Sequence, residues 1–185
     1  MALHTDYAGQ ECALARALEV IGERWSLLIV RDAFYGVRRF NDFRVRLDIP
    51  RAVLVARLHA LIAAGVMERQ PDEPARGRPR ECYVLTAHGR ELWLPVYLLA
   101  DWGARHASDG GHHVQFSHAQ CGHRLGRSGQ CQACGVVPPP EQVMMAAAPG
   151  ARQRQDPVSK ALTRPHLLLT PVTPDRASEP EQVPV

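Results

Sequence analysis

Apolar positions recur at helical spacing through the first half of the chain. Leu14, Leu18 and Ile21 make one stripe, closed by Gly22, and Leu28, Ile29 and Ala33 make a second, in a helix from about 25 to 35 that Gly36 ends. Phe40, Phe43 and Leu47 stand at i, i+3 and i+7 until Asp48-Ile49-Pro50 interrupts them. Proline is tolerated in a first helical turn, so a fourth helix starts at Pro50, turns Leu54, Leu58, Leu61 and Ile62 inward, and stops at Gly65. Two short helices joined by a tight turn predict a helix-turn-helix.

The period then changes. Residues 66–70 and 81–85 alternate in part and flank a Pro-, Gly- and Arg-rich stretch at 71–80, the pattern of a β-hairpin with a long tip. Thr86 is placed to N-cap a last helix from Ala87 to about His106, with Leu92, Val96, Leu99 and Trp102 inward and Pro95 bending it near its start. Residues 1–110 therefore predict a winged helix-turn-helix: mainly α with a β-hairpin wing, an α+β fold. Residues 111–146 form a Cys- and His-dense appendix. Residues 147–185 lack a long periodic apolar pattern, and ten of the 15 prolines fall within 138–185, so this stretch reads as a disordered Pro-rich tail. Its one apolar cluster, Leu167-Leu168-Leu169 between Pro165 and Pro171, is a candidate docking motif.

Composition narrows the class. No apolar run approaches the roughly 20 residues of a membrane span, and the first ten residues lack the pattern of a secretory signal. Five Cys is an odd number for a disulfide framework, which points to a reducing, cytoplasmic setting. The net charge of +3 excludes a histone-like polycation, yet of 22 basic residues all but Lys160 are Arg. A GC-rich codon bias explains most of that excess, but the location of several Arg carries meaning. Arg38 and Arg39 stand at the start of the third helix, Arg51 in the first turn of the fourth, and Arg76, Arg78 and Arg80 in the hairpin loop. In a winged helix these three places face one duplex, the fourth helix entering the major groove and the loop reaching phosphates or a minor groove. Arg51 can donate two hydrogen bonds to a guanine, whereas Ala52, Val55 and Ala56 on or near the outer face offer only contact with thymine methyls. Few direct base contacts, and reliance on phosphates and DNA shape, are the expectation. Arg57 suits either DNA contact or a salt bridge that holds the helix.

The runs CALARALEVIGERWSLLIVRDAFYGVRRFNDF, RLHALIAAGVMERQ, YVLTAHGREL and ADWG, spread over residues 12–103, resemble the HxlR branch of bacterial winged-helix transcriptional regulators, within the MarR-like superfamily. The resemblance implies a homodimer built from the first and last helices, with one winged helix per half-site of a double-stranded DNA operator. It implies regulation of nearby genes, commonly repression, under a small-molecule or redox effector that it does not identify. Here the recognition helix reads PRAVLVARL, where family members usually carry a polar run after the Arg. Cys12 occupies a position where many members have Cys and some use it as an oxidation switch; a small apolar residue at an interface is the plainer role.

His118-x2-Cys121 and Cys131-x2-Cys134 form two ligand pairs nine residues apart, followed by Gly122 and Gly135, which permit the tight backbone of a zinc knuckle. Four N/S ligands close a tetrahedron and leave no open position, the pattern of one structural zinc ion. His113 and His123 compete as ligands. A ribbon that folds without metal, and a Cys-x2-Cys redox pair, are the alternatives. Cys82, on a strand, reads as core, and His88 as surface. There is no Ser/His/Asp set in context, no phosphate-binding glycine loop and no HExxH, so nothing points to an enzyme. The competing function is a winged-helix/zinc-ribbon module for protein interaction or metal and redox sensing.

Overall fold

The computed structural model describes residues 12–72, 80–108, 112–151 and 154–174. Four helices open the chain: α1 (Ala13–Ile21), α2 (Arg24–Phe34), α3 (Phe40–Leu47) and α4 (Arg51–Ala63). Strands β1 (Met67–Asp72) and β2 (Arg80–Leu85) pair antiparallel, from Met67 opposite Leu85 to Asp72 opposite Arg80. The turn between α3 and α4 depends on Asp48, whose left-handed backbone (φ 52°) suits the short acidic side chain, and on the non-helical Ile49-Pro50 that follows. Leu54, Leu58 and Leu61 of α4 are buried as their spacing required, packed with Phe34, Phe43 and Ile29.

The last helix departs from expectation. It is two helices, α5 (Ala87–Arg90) and α6 (Trp93–His106). Thr86 caps the first as anticipated, its hydroxyl accepting from the Gly89 amide at 3.0 Å. Pro95 lies in the first turn of α6, where a missing N–H costs nothing, rather than bending one long helix. Trp93 and Val96 face inward, but Leu99 and Trp102, expected inside, are each 53% exposed. Leu14 and Leu18 of α1 are exposed as well, and α1 has no buried residue.

The appendix is a three-stranded antiparallel sheet in the order β3 (Val114–His118), β4 (Val143–Ala147), β5 (His166–Leu167), with Val114 opposite Ala147 and Met145 opposite His166. It shares the winged-helix core. Phe116 of β3 meets Trp93 edge-on at 5.2 Å between ring centroids, and lies 5.6 Å from Tyr97 and 6.1 Å from Tyr35. The Tyr97 hydroxyl donates to the Gly126 carbonyl at 2.9 Å.

Much of the stretch expected to be disordered is folded. Helix α7 (Pro157–Ala161) is N-capped by Asp156, whose carboxylate accepts from the Ser159 amide at 2.8 Å. Val158, Leu162 and Leu168 are buried in the common core. The Leu168 amide donates to the Val143 carbonyl and the Leu169 amide to the Phe34 carbonyl, so the chain straps back across the end of α2. Gly36 (φ 90°) accepts this crossing because it has no side chain: a Cβ there would meet the Thr170 carbonyl oxygen at 1.9 Å. The Leu triplet is a core element, and the proline count misled because the prolines flank short ordered pieces. Residues 175–185 lie outside the described residues.

Leu168→Ala is expected to lower the unfolding free energy by about 2–5 kcal/mol, as for other buried leucines. Chemical denaturation followed by tryptophan fluorescence reads this directly; an unchanged midpoint would mean that the tail does not pack.

Candidate functional site

Helix α4 presents one face to solvent. Arg51, Ala52, Ala56, His59 and Ala63 are exposed along it, while Val55 is half-buried at its margin. The Arg51 guanidinium lies over the Phe40 ring, 5.2 Å from its centroid, which restrains the side chain while leaving it open to solvent. His59 is the polar group on this face that the sequence reading missed. It stands two turns beyond Ala52, at i+7, so following the outer period one turn further would have found it. Its Nε2 is 3.0 Å from Arg69 Nη2, which links the helix to the root of the wing.

The basic residues ahead of α3 are more committed than expected. Arg38 donates to the Leu169 carbonyl at 2.6 Å, and its own carbonyl accepts from the Tyr83 amide at 2.8 Å, so it ties the C-terminal strap to the wing. Arg39 donates to Asp72 at 2.6 Å; that hydrogen bond raises its pKa further and anchors the outer end of β1 to the start of α3. Arg57 faces Glu23 at 3.9 Å, in keeping with a helix-holding salt bridge. Arg80 opens β2 opposite Asp72, while Arg76 and Arg78 lie outside the described residues. Sequence reasoning also missed Asp32, which is completely buried at the end of α2, 2.7 Å from Arg31 and 3.9 Å from Arg46.

His118, Cys121, Cys131 and Cys134 converge, their ligand atoms all within 4.8 Å of one another. His118 Nδ1 lies 3.3 Å from Cys134 Sγ and 3.5 Å from Cys121 Sγ, and the Cys121 and Cys131 sulfurs are 3.4 Å apart. A zinc ion with Zn–S bonds of about 2.3 Å holds tetrahedral sulfurs roughly 3.8 Å apart, so small outward shifts accommodate it. The 3.4 Å separation is no disulfide, and all five cysteines are free. The knuckles have the expected backbone: Gly122 and Gly135 both have positive φ, and the Gly122 amide donates to the His118 carbonyl at 2.8 Å. Amides of Cys134 and Ala133 pull the Cys131 thiol down to about 6, so this turn favours thiolate. The His123 amide lowers the Cys121 thiol, but Cys131 and burial outweigh it and the net direction is up. His118 Nε2 is buried with no partner among the described residues. His123 bonds the Cys121 carbonyl instead of joining the cluster, and His113 lines a separate cleft. Cys82 is buried as expected, whereas Cys12 is an exposed residue at the N-terminus of α1.

A helix-turn-helix followed by a two-stranded wing defines a winged helix-turn-helix protein, here carrying a Cys/His ribbon. Residues 20–110 match the family described as HxlR-like helix-turn-helix. An uncharacterized HTH-type transcriptional regulator of Mycobacterium tuberculosis, Rv3095, is 35% identical over 145 residues, covering 77% of this chain and 89% of the relative. YdeP of Bacillus subtilis, also an uncharacterized HTH-type transcriptional regulator, is 29% identical over 108 residues, 56% of this chain and 83% of the relative. The crystal structure of PA1607, a candidate transcription factor, superposes with a TM-score of 0.59 at 33% identity, over 82% of this chain and 100% of that one. The chain belongs to the HxlR-like helix-turn-helix family, and with it to the DNA-binding transcriptional regulators.

Proposed function

We propose that the protein is a cytoplasmic repressor that binds its operator as a homodimer, α4 lying in the major groove and the wing on the backbone or minor groove. The observation that carries this reading is the exposed face of α4, headed by Arg51 and continued by His59 to the wing root. Apart from Arg51 and His59 the face is mostly alanine, so affinity comes chiefly from phosphates and specificity in large part from DNA shape. Arg39, neutralised by Asp72, acts as a positioning residue for the wing.

The dimer reading rests on α1 and α6. A nine-residue helix without a buried side chain has little stability of its own, and Leu14, Leu18, Leu99 and Trp102 remain exposed in a single copy. A second copy is the partner that would cover them. Residues His118, Cys121, Cys131 and Cys134 would hold one structural zinc ion, whose chemistry is to crosslink the two knuckles and keep the ribbon seated on α6.

Operator DNA selected from the genome should bind with a log K that falls by several units per decade of salt. Arg51→Ala should cost about 1–3 kcal/mol and relax preference at one base pair of each half-site. Binding indifferent to salt, or an unaltered footprint, would contradict this reading. In light scattering after size exclusion, Trp102→Glu should halve the mass of the wild type, since the side chain is exposed in one copy and its replacement leaves the fold intact. Mass spectrometry of protein purified without a His tag should find about one zinc per chain, and Cys134→Ser should lose most of it; wild type without zinc would exclude the metal.

A further inference from the structure

A cleft of about 670 Å³ lies where the helix-turn-helix meets the C-terminal extension, away from both the α4 face and the Cys/His cluster. Its size suits a small organic molecule, for which sites run to roughly 300–1,000 Å³. Leu28, Leu47, Ala104 and Leu162 give it apolar walls. Ala100 and Ala104 turn toward it from the side of α6 opposite Leu99 and Trp102, so a dimer made through those two residues leaves this side of the helix facing the cleft.

Its polar groups are biased to one sign. Arg31, Arg46 and Arg154 line the cleft, with His112 and His113, and no carboxylate does among the described residues. The nearest acids sit behind the wall and are already shared. Asp32 pairs with Arg31 at 2.7 Å and stands 3.9 Å from Arg46, beyond hydrogen-bond reach; Arg154 faces Asp156 at 3.4 Å. His112 lies 3.3 Å from Asp101, which Arg105 also occupies at 2.8 Å. Three guanidiniums thus face two carboxylates, leaving one positive charge uncompensated. Arg46 is where it is least satisfied. Its Nη1 donates to Ser159 Oγ at 3.0 Å; its Nε is buried facing Asp32 Oδ2 at 3.9 Å, too far for a hydrogen bond, so the carboxylate compensates it only weakly. Guanidiniums that outnumber their carboxylates at an apolar wall favour a planar anion that accepts two hydrogen bonds.

We propose that this cleft binds a small monocarboxylate with an apolar body, the carboxylate on Arg46 and Arg154 and the body against Leu28, Leu47 and Leu162. The ligand would bridge α3 and the segment around α7, one turn of chain from the recognition helix. The inference does not depend on DNA binding.

Calorimetric titration of the full chain with benzoate and with octanoate tests it, with benzamide as the uncharged analogue and inorganic phosphate as the anion without an apolar body. The expected result is saturable binding of one carboxylate per chain, with benzamide and phosphate at least tenfold weaker. Arg46→Gln should weaken binding at least tenfold. Because Arg46 also touches the buried Asp32, two further variants keep the test decisive. Arg154→Gln alters a half-exposed side chain and should weaken binding several-fold; Ala104→Phe fills the cleft and should abolish it, both with cooperative thermal unfolding retained. Failure of both carboxylates to bind, equal binding of benzamide or phosphate, or unchanged affinity in Arg154→Gln and Ala104→Phe would overturn the proposal.

Discussion

The edge-on contact between Trp93 and Phe116 is the joint on which the rest of the molecule depends. Trp93 belongs to α6 and also touches Phe34 of α2; Phe116 belongs to β3 and also touches Tyr35 and Tyr97. Through these five rings the winged helix and the ribbon share one core. Aromatic pairs of this geometry add about 0.5–1.5 kcal/mol each beyond the area they bury. Without that joint the three-stranded sheet would have an apolar face and nothing to cover it. The Cys/His knuckles depend on it too, because Leu125 and Cys131, between and within the ligand pairs, are buried in the same cluster.

Once the ribbon is seated, the C-terminal segment has a surface to follow. Leu168 and Leu169 extend the sheet on one side and bond the end of α2 on the other. The same strap takes one of the arginines that a DNA interface would use, since the Leu169 carbonyl accepts from Arg38. Charge near the helix-turn-helix is thus partly spent on internal structure: Arg38 on the strap, Arg39 on the wing, Arg57 on Glu23, Arg31 on Asp32. Of the basic residues singled out on the first four helices, Arg51 is the one exposed on the recognition surface.

The local elements of the winged helix were legible because each is coded over a few residues. Leu54, Leu58 and Leu61 at helical spacing fixed the buried face of α4, Thr86 fixed a cap, and Gly36 and Gly65 fixed ends. The Cys/His pairs were legible for the same reason, since a two-residue spacing brings both members of a pair together in one turn. Errors arose where the deciding partner was distant in sequence. Leu99 and Trp102 have the period of inward residues, but the side of α6 that faces the core is chosen by Phe116 and Leu125, which the helix pattern does not mention. His59 was missed because its role depends on Arg69 across the wing root.

The chain by itself determined the helix-turn-helix, the wing and the four residues of the Cys/His cluster, all set by short-range periodicity and spacing. Only the tertiary structure decided that residues 154–174 are ordered, that Arg38 and Arg39 serve the fold, and that a cationic cleft opens between the core and the extension. These outcomes depend on contacts between residues about 30 to more than 130 positions apart, such as Arg39 with Asp72, Arg38 with Leu169 and Arg46 with Ser159. Such contacts repay loop-closure entropy through burial and charge pairing that no local pattern encodes.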